Sequence, residues 1–364
     1  MDKLYVMCGE EAEALAVSLL EEMDVAEELK GFKRPLIGIK PNLVVSQPAQ
    51  WGATTEPGLV RGVVRYLKSR GFNTLVIMES SWLGDNTRAA FRVCGYEDLS
   101  REFNLPLVDL KKDKGILVEA GGLKFEVCSS VLAVDYLINM PVLKAHCQTK
   151  LSCALKNLKG CIPDKEKRRF HALGLHRPIA CLNMAVRPGL TVVDGIFGDL
   201  LHEEGGNPVK MGRVIAGRDP VLVDSYAAAL LGYDVDDVPY IRMAEELGVG
   251  SSVLEGRVVE RNSVGEFAGS FPGGREIDFL KKYVEEDMAC SPCYGGVMHA
   301  LMRLKEKGKL KGLPGKVQVG QGFKGRGGYF GVGECARGCE SYVRGCPPKA
   351  REIVAELEKW LSLS

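Results

Sequence analysis

The chain reads as an α/β protein: a mostly parallel sheet with helices on both faces, then a small C-terminal α/β module that bears cysteines. Three observations predict this. Short runs of consecutive apolar residues, the pattern of strands buried on both faces, alternate with stretches of helical length. Polar groups gather where those runs end, which is where open parallel sheets place their sites. Five of the 12 cysteines fall in the 57 residues from Cys290 to Cys346, amid Gly and Pro.

The elements follow in order. Leu4 to Met7 predicts a first strand, and Glu10 to Leu29 a helix with Ala14, Leu15, Val17, Leu19 and Leu20 among acids. Leu36 to Ile39 is a strand that ends at Lys40-Pro41-Asn42. Pro57 to Lys68 is a helix, with Pro in its first turn after Thr54-Thr55-Glu56. Thr74 to Met78 is a buried strand followed by Glu79-Ser80-Ser81. Tyr136 to Met140 and Leu190 to Val193 are two more, the second ending at Asp194-Gly195. Val221 to Leu231 and Val238 to Leu247 read as helices. The polar stretch from Glu255 to Arg275 marks a boundary between residues 1–275 and a cysteine module at 276–364. In that module Tyr294 to Lys307 is helical, Lys316 to Gly320 a strand and Pro348 to Leu361 a final helix.

Bulk composition narrows the classes. With 364 residues, 46% apolar and 26% charged, the chain is an ordinary globular protein large enough for two units. A net charge of +1 gives no field that would gather nucleic acid. No apolar run reaches membrane-spanning length, and the first residues read as a strand and not as an export signal. The expectation is a cytoplasmic protein whose thiols stay reduced. Cys8, Cys94, Cys128, Cys147, Cys153, Cys161 and Cys181 sit in apolar or helical contexts and read as small core hydrophobes.

The later cysteines read differently. Cys290 and Cys293 form a C-x-x-C pair ahead of a helix; Cys335 and Cys339 lie in a Gly-rich segment; Cys346 precedes Pro347-Pro348 and another helix. Such spacings let several thiolates converge on an iron–sulfur cluster or, as the alternative, a tetrahedral zinc. Helix N-termini favour thiolates through free N–H groups and the dipole. Five candidates for four places leave one spare. The Gly-rich stretch Gln321 to Gly328 is neither a Walker A loop nor a dinucleotide fingerprint and reads as a surface loop.

Gly333-Glu334-Cys335, followed by Ser341 to Pro348 and a helix, resembles the last two ligand segments of the cluster-bearing small subunits of quinone oxidoreductases and nickel–iron hydrogenases. The resemblance implies Cys335 and Cys346 as ligands of a 4Fe-4S cluster and Cys339 as the spare. Cys290 and Cys293 then supply the other two, although those subunits arrange their first two ligands differently.

The sheet ends carry a second pattern. Lys40-Pro41-Asn42, Ala53-Thr54-Thr55-Glu56-Pro57, Pro141-Val142-Leu143-Lys144-Ala145-His146, Ala154-Leu155-Lys156-Asn157-Leu158-Lys159-Gly160, Asp194-Gly195 and Ala216 to Asp224 occur in that order. Together they resemble the domain-of-unknown-function 362 family, whose members often carry iron–sulfur cysteines. The segment Gly198 to Pro208 departs from the family's E-G-x-G-P. The resemblance implies a fold and a cofactor, and no substrate.

The residues themselves suggest chemistry. Lys40, Lys144, Lys156 and Lys159 can clamp a small anionic substrate, with Asn42, Thr54, Thr55, Ser80, Asn157 and Asp194 beside them. The segment Asp164 to His171 reads as a charged loop. His146 and His171, with Lys144, are the candidates for moving protons. Asp194, Asp219 and Asp224 offer hard oxygens to a divalent cation, while Asp219-Pro220 is equally a helix cap. Three functions are compatible: a redox enzyme acting on a small anion, an electron-transfer protein serving a redox partner, or a non-redox enzyme with a structural cluster or zinc.

Overall fold

The computed structural model describes residues 2–201, 203–262, 271 and 275–362. The larger sheet has eight strands in the spatial order Val258–Arg261, Leu4–Cys8, Pro208–Gly217, Leu190–Asp199, Tyr136–Met140, Ile37–Pro41, Leu75–Glu79 and Leu107–Asp109. From Leu190–Asp199 onward every neighbouring pair is parallel. Pro208–Gly217 runs antiparallel to both of its neighbours. The sheet is therefore mostly parallel, as its apolar runs predict.

Those runs are unbroken because both faces are covered. Ile37, Ile39, Ile77 and Ile138 join one core, while Val76, Met78 and Leu137, from alternate positions, join the other. Helix Pro57–Ser69 starts where the Glu56 carboxylate accepts the Gly58 N–H, with Pro57 at the first helical position. It packs closely on helix Ala12–Glu22: a Cβ at Gly62 would lie 2.5 Å from the Glu13 carbonyl oxygen.

Two expectations need correction, and one strand carries no sequence signal. The single helix over Glu10 to Leu29 is two, Ala12–Glu22 and Val25–Leu29, broken at Asp24, whose φ of 48° is left-handed. The strand Pro208–Gly217 lacks an apolar signature because its first three residues are at least partly exposed. The segment read as a charged loop is the helix Asp164–Ala172, which buries Glu166, Lys167, Phe170 and His171 despite its charge.

A second sheet follows. Its strands Val284–Glu286, Val317–Val319, Gly328–Val332 and Cys339–Val343 are all parallel and lie in chain order. Helices Ser291–Glu306 and Ala350–Ser362 contribute Val297, Leu301, Ile353 and Leu357 to its core, and Phe330 stacks on Trp360 at 4.8 Å between centroids. Cys147 joins this core and Leu201 packs against it, both from the part of the chain that builds the larger sheet. The Gln148 side chain donates to the Ala289 carbonyl at 2.9 Å and accepts from Ser291 Oγ at 2.8 Å. The expected boundary at 275/276 falls beside 263–270 and 272–274, which lie outside the described residues. Among the described residues no helix is long and apolar enough to cross a membrane.

Candidate active site

Both sheets point their carboxyl ends at one cleft. From the larger sheet come Lys40 near the end of Ile37–Pro41 with Asn42 just after it, and Glu79 at the end of Leu75–Glu79 with Ser80 next to it. Lys156, Asn157, Lys159 and Gly160 come from the short helical turns Ala154–Asn157 and Leu158–Cys161. Lys167 and His171 come from helix Asp164–Ala172, and Ser291 and Pro292 from the first turn of the C-x-x-C helix. The cleft encloses about 560 Å³, counting the part open to solvent.

Its charges are matched in pairs. Lys40 Nζ lies 2.8 Å from Glu79 Oε2, Lys156 Nζ 2.8 Å from Glu203 Oε1, and Lys167 Nζ 3.0 Å from Asp164 Oδ1. Buried charges are tolerated when paired in this way. Asn157 ties the floor together: its carbonyl oxygen accepts from Asn42 at 2.9 Å and its amide donates to Asn139 at 2.8 Å. Lys159 differs. Its amine lies 3.1 Å from His171 Nε2, and part of its surface stays open to the cleft. Burial of the rest, with the charge of Lys156, brings this ammonium down to about 7. Burial and then Lys159 hold the His171 ring well below 6.5, so it is neutral at neutral pH.

Lys144 and His146 stand behind this wall and do not line it. Lys144 is fully buried, donating to the Ala53 carbonyl at 2.8 Å and the Glu203 carbonyl at 2.9 Å, and burial lowers it to about 8. His146 accepts the Gln148 and Thr149 N–H groups on Nδ1, which leaves the proton on Nε2. Nε2 lies 2.6 Å from Glu203 Oε2, although the approach is too bent for a well-formed hydrogen bond. Burial takes the ring down to about 4. These two residues position Glu203 from behind.

Thr54, Thr55 and Asp194 frame the site without lining it. Thr55 Oγ1 accepts the Asn42 N–H and donates to the Met140 carbonyl, both at 2.8 Å, and Thr54 Oγ1 donates to the Gln47 carbonyl. Asp194 accepts the Glu56 N–H at 2.7 Å and the Ile196 N–H at 3.0 Å, and burial raises it to about 7. The divalent-cation expectation for Asp194, Asp219 and Asp224 is corrected, because the three serve separate elements. Asp219 caps helix Pro220–Leu230 and pairs with Arg257, and Asp224 accepts the Ala154 and Leu155 N–H groups. Among the described residues no three His, Cys, Asp or Glu side chains stand close enough to hold one metal ion.

Sequence reasoning missed Glu79, Trp82, Lys167, Glu203 and Ser291 as cleft residues. Glu79 adjoins Ser80 at a strand end and carried a readable signal. Lys167 is masked by its charged neighbours, and Glu203 belongs to the very segment where the family pattern breaks down.

The cysteines sit at the carboxyl end of the smaller sheet. Cys290 follows Val284–Glu286 and occupies the N-cap of helix Ser291–Glu306, Cys335 follows Gly328–Val332, and Cys346 follows Cys339–Val343. Burial pushes the Cys290 thiol up to about 11, and Cys335 and Cys346 push it the same way. Burial, then Cys290, Cys346 and Cys335, raise Cys293 further. The four thiols are therefore close enough to repel one another as anions. Gly333, at φ 89°, leaves open the space between Cys293 Sγ and the Gly345 carbonyl, each 3.5 Å from where a Cβ would stand. Gln321 Nε2 points at Cys290 Sγ from 3.9 Å. Cys339 sits apart: it packs with Phe323 and Ala336 and its thiol donates to Gln318 Oε1 at 3.4 Å. All twelve cysteines are free thiols.

The chain is 24% identical over 257 residues to the thylakoid-associated protein sll1697 of Synechocystis, covering 67% of this chain and 78% of that one. Among solved structures, the lactate racemase apoprotein of Thermoanaerobacterium thermosaccharolyticum aligns with 13% identity and a TM-score of 0.40, over 62% of this chain and 57% of its own length. The model of the family described as Domain of unknown function (DUF362) matches residues 37–229, the region that supplies the sheet ends and the cleft lysines, and the chain belongs to that family.

Proposed function

We propose that the protein is an iron–sulfur redox enzyme that acts on a small anionic substrate in this cleft. One observation carries the reading: Ser291 and Pro292, the two residues between Cys290 and Cys293, form part of the cleft wall. The donor set suits the cofactor. Four thiols lie at the carboxyl end of one small sheet, and the charges of Cys335 and Cys346 would raise the Cys290 and Cys293 thiols. Zinc is the alternative occupant of the same four thiols. A cluster held by Cys290, Cys293, Cys335 and Cys346 would accept and pass single electrons.

The chain's own residues do the rest. The Lys40, Lys156 and Lys159 amines, with Asn42, Asn157 and Ser80, orient the anion and exclude water around it. His171 Nε2 and Lys159 Nζ, 3.1 Å apart, hold and move the proton, since one is neutral and the other titrates near neutrality. The electron-transfer alternative draws on the exposed Cys346. It does not account for buried lysines that converge on a cleft. A cytoplasmic setting, where thiols stay reduced, fits twelve free cysteines.

The test is anaerobic purification. We expect brown protein with about four irons per chain, loss of iron in Cys346→Ser, and retention in Cys339→Ser. A colourless protein with one zinc, or the reverse pattern in the two variants, refutes the assignment.

A further inference from the structure

Of the four lysines that line the cleft, Lys159 is the one with no carboxylate within 4.0 Å among the described residues. Lys40, Lys156 and Lys167 are each within 3.0 Å of Glu79, Glu203 and Asp164 respectively. The polar partner found for Lys159 is a neutral imidazole, 3.1 Å away. The lining also has an apolar part. Val44, Trp82, Leu83 and Pro292 form it, and Trp82 packs with Val44, Val45 and Ala53 while remaining partly exposed.

We infer that the cleft takes a monocarboxylic acid with an apolar body, its carboxylate on Lys159 and its body against Val44, Trp82, Leu83 and Pro292. This deepens the reading of the cleft as a substrate site and rests on it. The charge count selects the head group. A carboxylate brings one negative charge, which pairs with the one lining lysine that has no carboxylate partner. A phosphate monoester brings about 1.5 to 2 negative charges at neutral pH, and the remaining lysines already have partners. The second charge would be buried without a match, which is costly. The wall selects the body, because an indole edge among aliphatic side chains rewards apolar and flat groups over hydrated ones.

Calorimetric titration of the anaerobically purified full chain tests this, with benzoate, phthalate and inorganic phosphate as probes and iron measured on the same samples. Benzoate should bind more tightly than phthalate, the dianion of the same body, and more tightly than phosphate. Lys159→Met should weaken benzoate by about thirtyfold, as expected for truncating one partner of a buried charge pair. Trp82→Ala should weaken it by about tenfold. Lys159→Arg keeps the charge and should retain most of the affinity, which holds the test open should the methionine variant fail to fold. Phosphate or phthalate binding as tightly as benzoate overturns the inference. So does benzoate that fails to bind, or that is indifferent to Lys159. Iron-free protein that binds benzoate through Lys159 overturns the cluster assignment and leaves the carboxylate seat standing. Iron-loaded protein without benzoate affinity does the opposite.

Discussion

Glu203 sets one carboxylate against both the Lys156 ammonium and the His146 ring, while its backbone carbonyl accepts from Lys144. Glu203→Gln leaves Lys156 buried without a counter-charge, so thermal or denaturant unfolding should show a loss of about 3–5 kcal/mol. The pH dependence has a definite sign. His146, then Lys156, outweigh burial and hold Glu203 well below 4.5. Its contribution is whole above pH 4.5 and disappears as the pH falls through its folded value. The stability gap between wild type and variant should therefore be widest at neutral pH and close under acid. A gap that widens under acid contradicts this account. At this scale the sequence was only partly readable. Lys40, Lys156 and Lys159 follow apolar runs and announce themselves. Glu203 does not, because its partners lie 47 and 57 positions away and only folding assembles them.

The turn at Gly333 is the element that shapes the thiol cradle. Gly333→Ala would need an L residue at φ 89° and would put a methyl group 3.5 Å from Cys293 Sγ. We expect about 1 kcal/mol or more of lost stability and a larger proportional loss of bound iron. Iron content equal to wild type would place the cradle elsewhere. Elements were legible in proportion to their burial. The strands Ile37–Pro41, Leu75–Glu79 and Tyr136–Met140, buried throughout, read directly as apolar runs. Pro208–Gly217 starts with partly exposed residues and was invisible, and Asp164–Ala172 conceals a buried face under a run of charge.

Across the whole molecule, the part around the larger sheet and the part around the smaller one touch closely. Gly84, in the loop after Leu75–Glu79, approaches the segment after Cys346 so closely that a Cβ there would lie 2.4 Å from Pro347 Cδ. Gly84→Val should lower the melting temperature and the iron bound per chain while leaving the circular dichroism of the folded protein near wild type. Unchanged iron and melting temperature would mean that this contact yields without consequence. The strand ends of the two sheets meet at the cleft. The wall formed by Ser291 and Pro292 then has a thermodynamic consequence. Whatever occupies the cleft touches the same rigid helix end that presents Cys290 and Cys293. Linkage is reciprocal: if the thiols hold the proposed cluster, the factor by which an occupant alters their affinity for it is the factor by which it alters the affinity for that occupant.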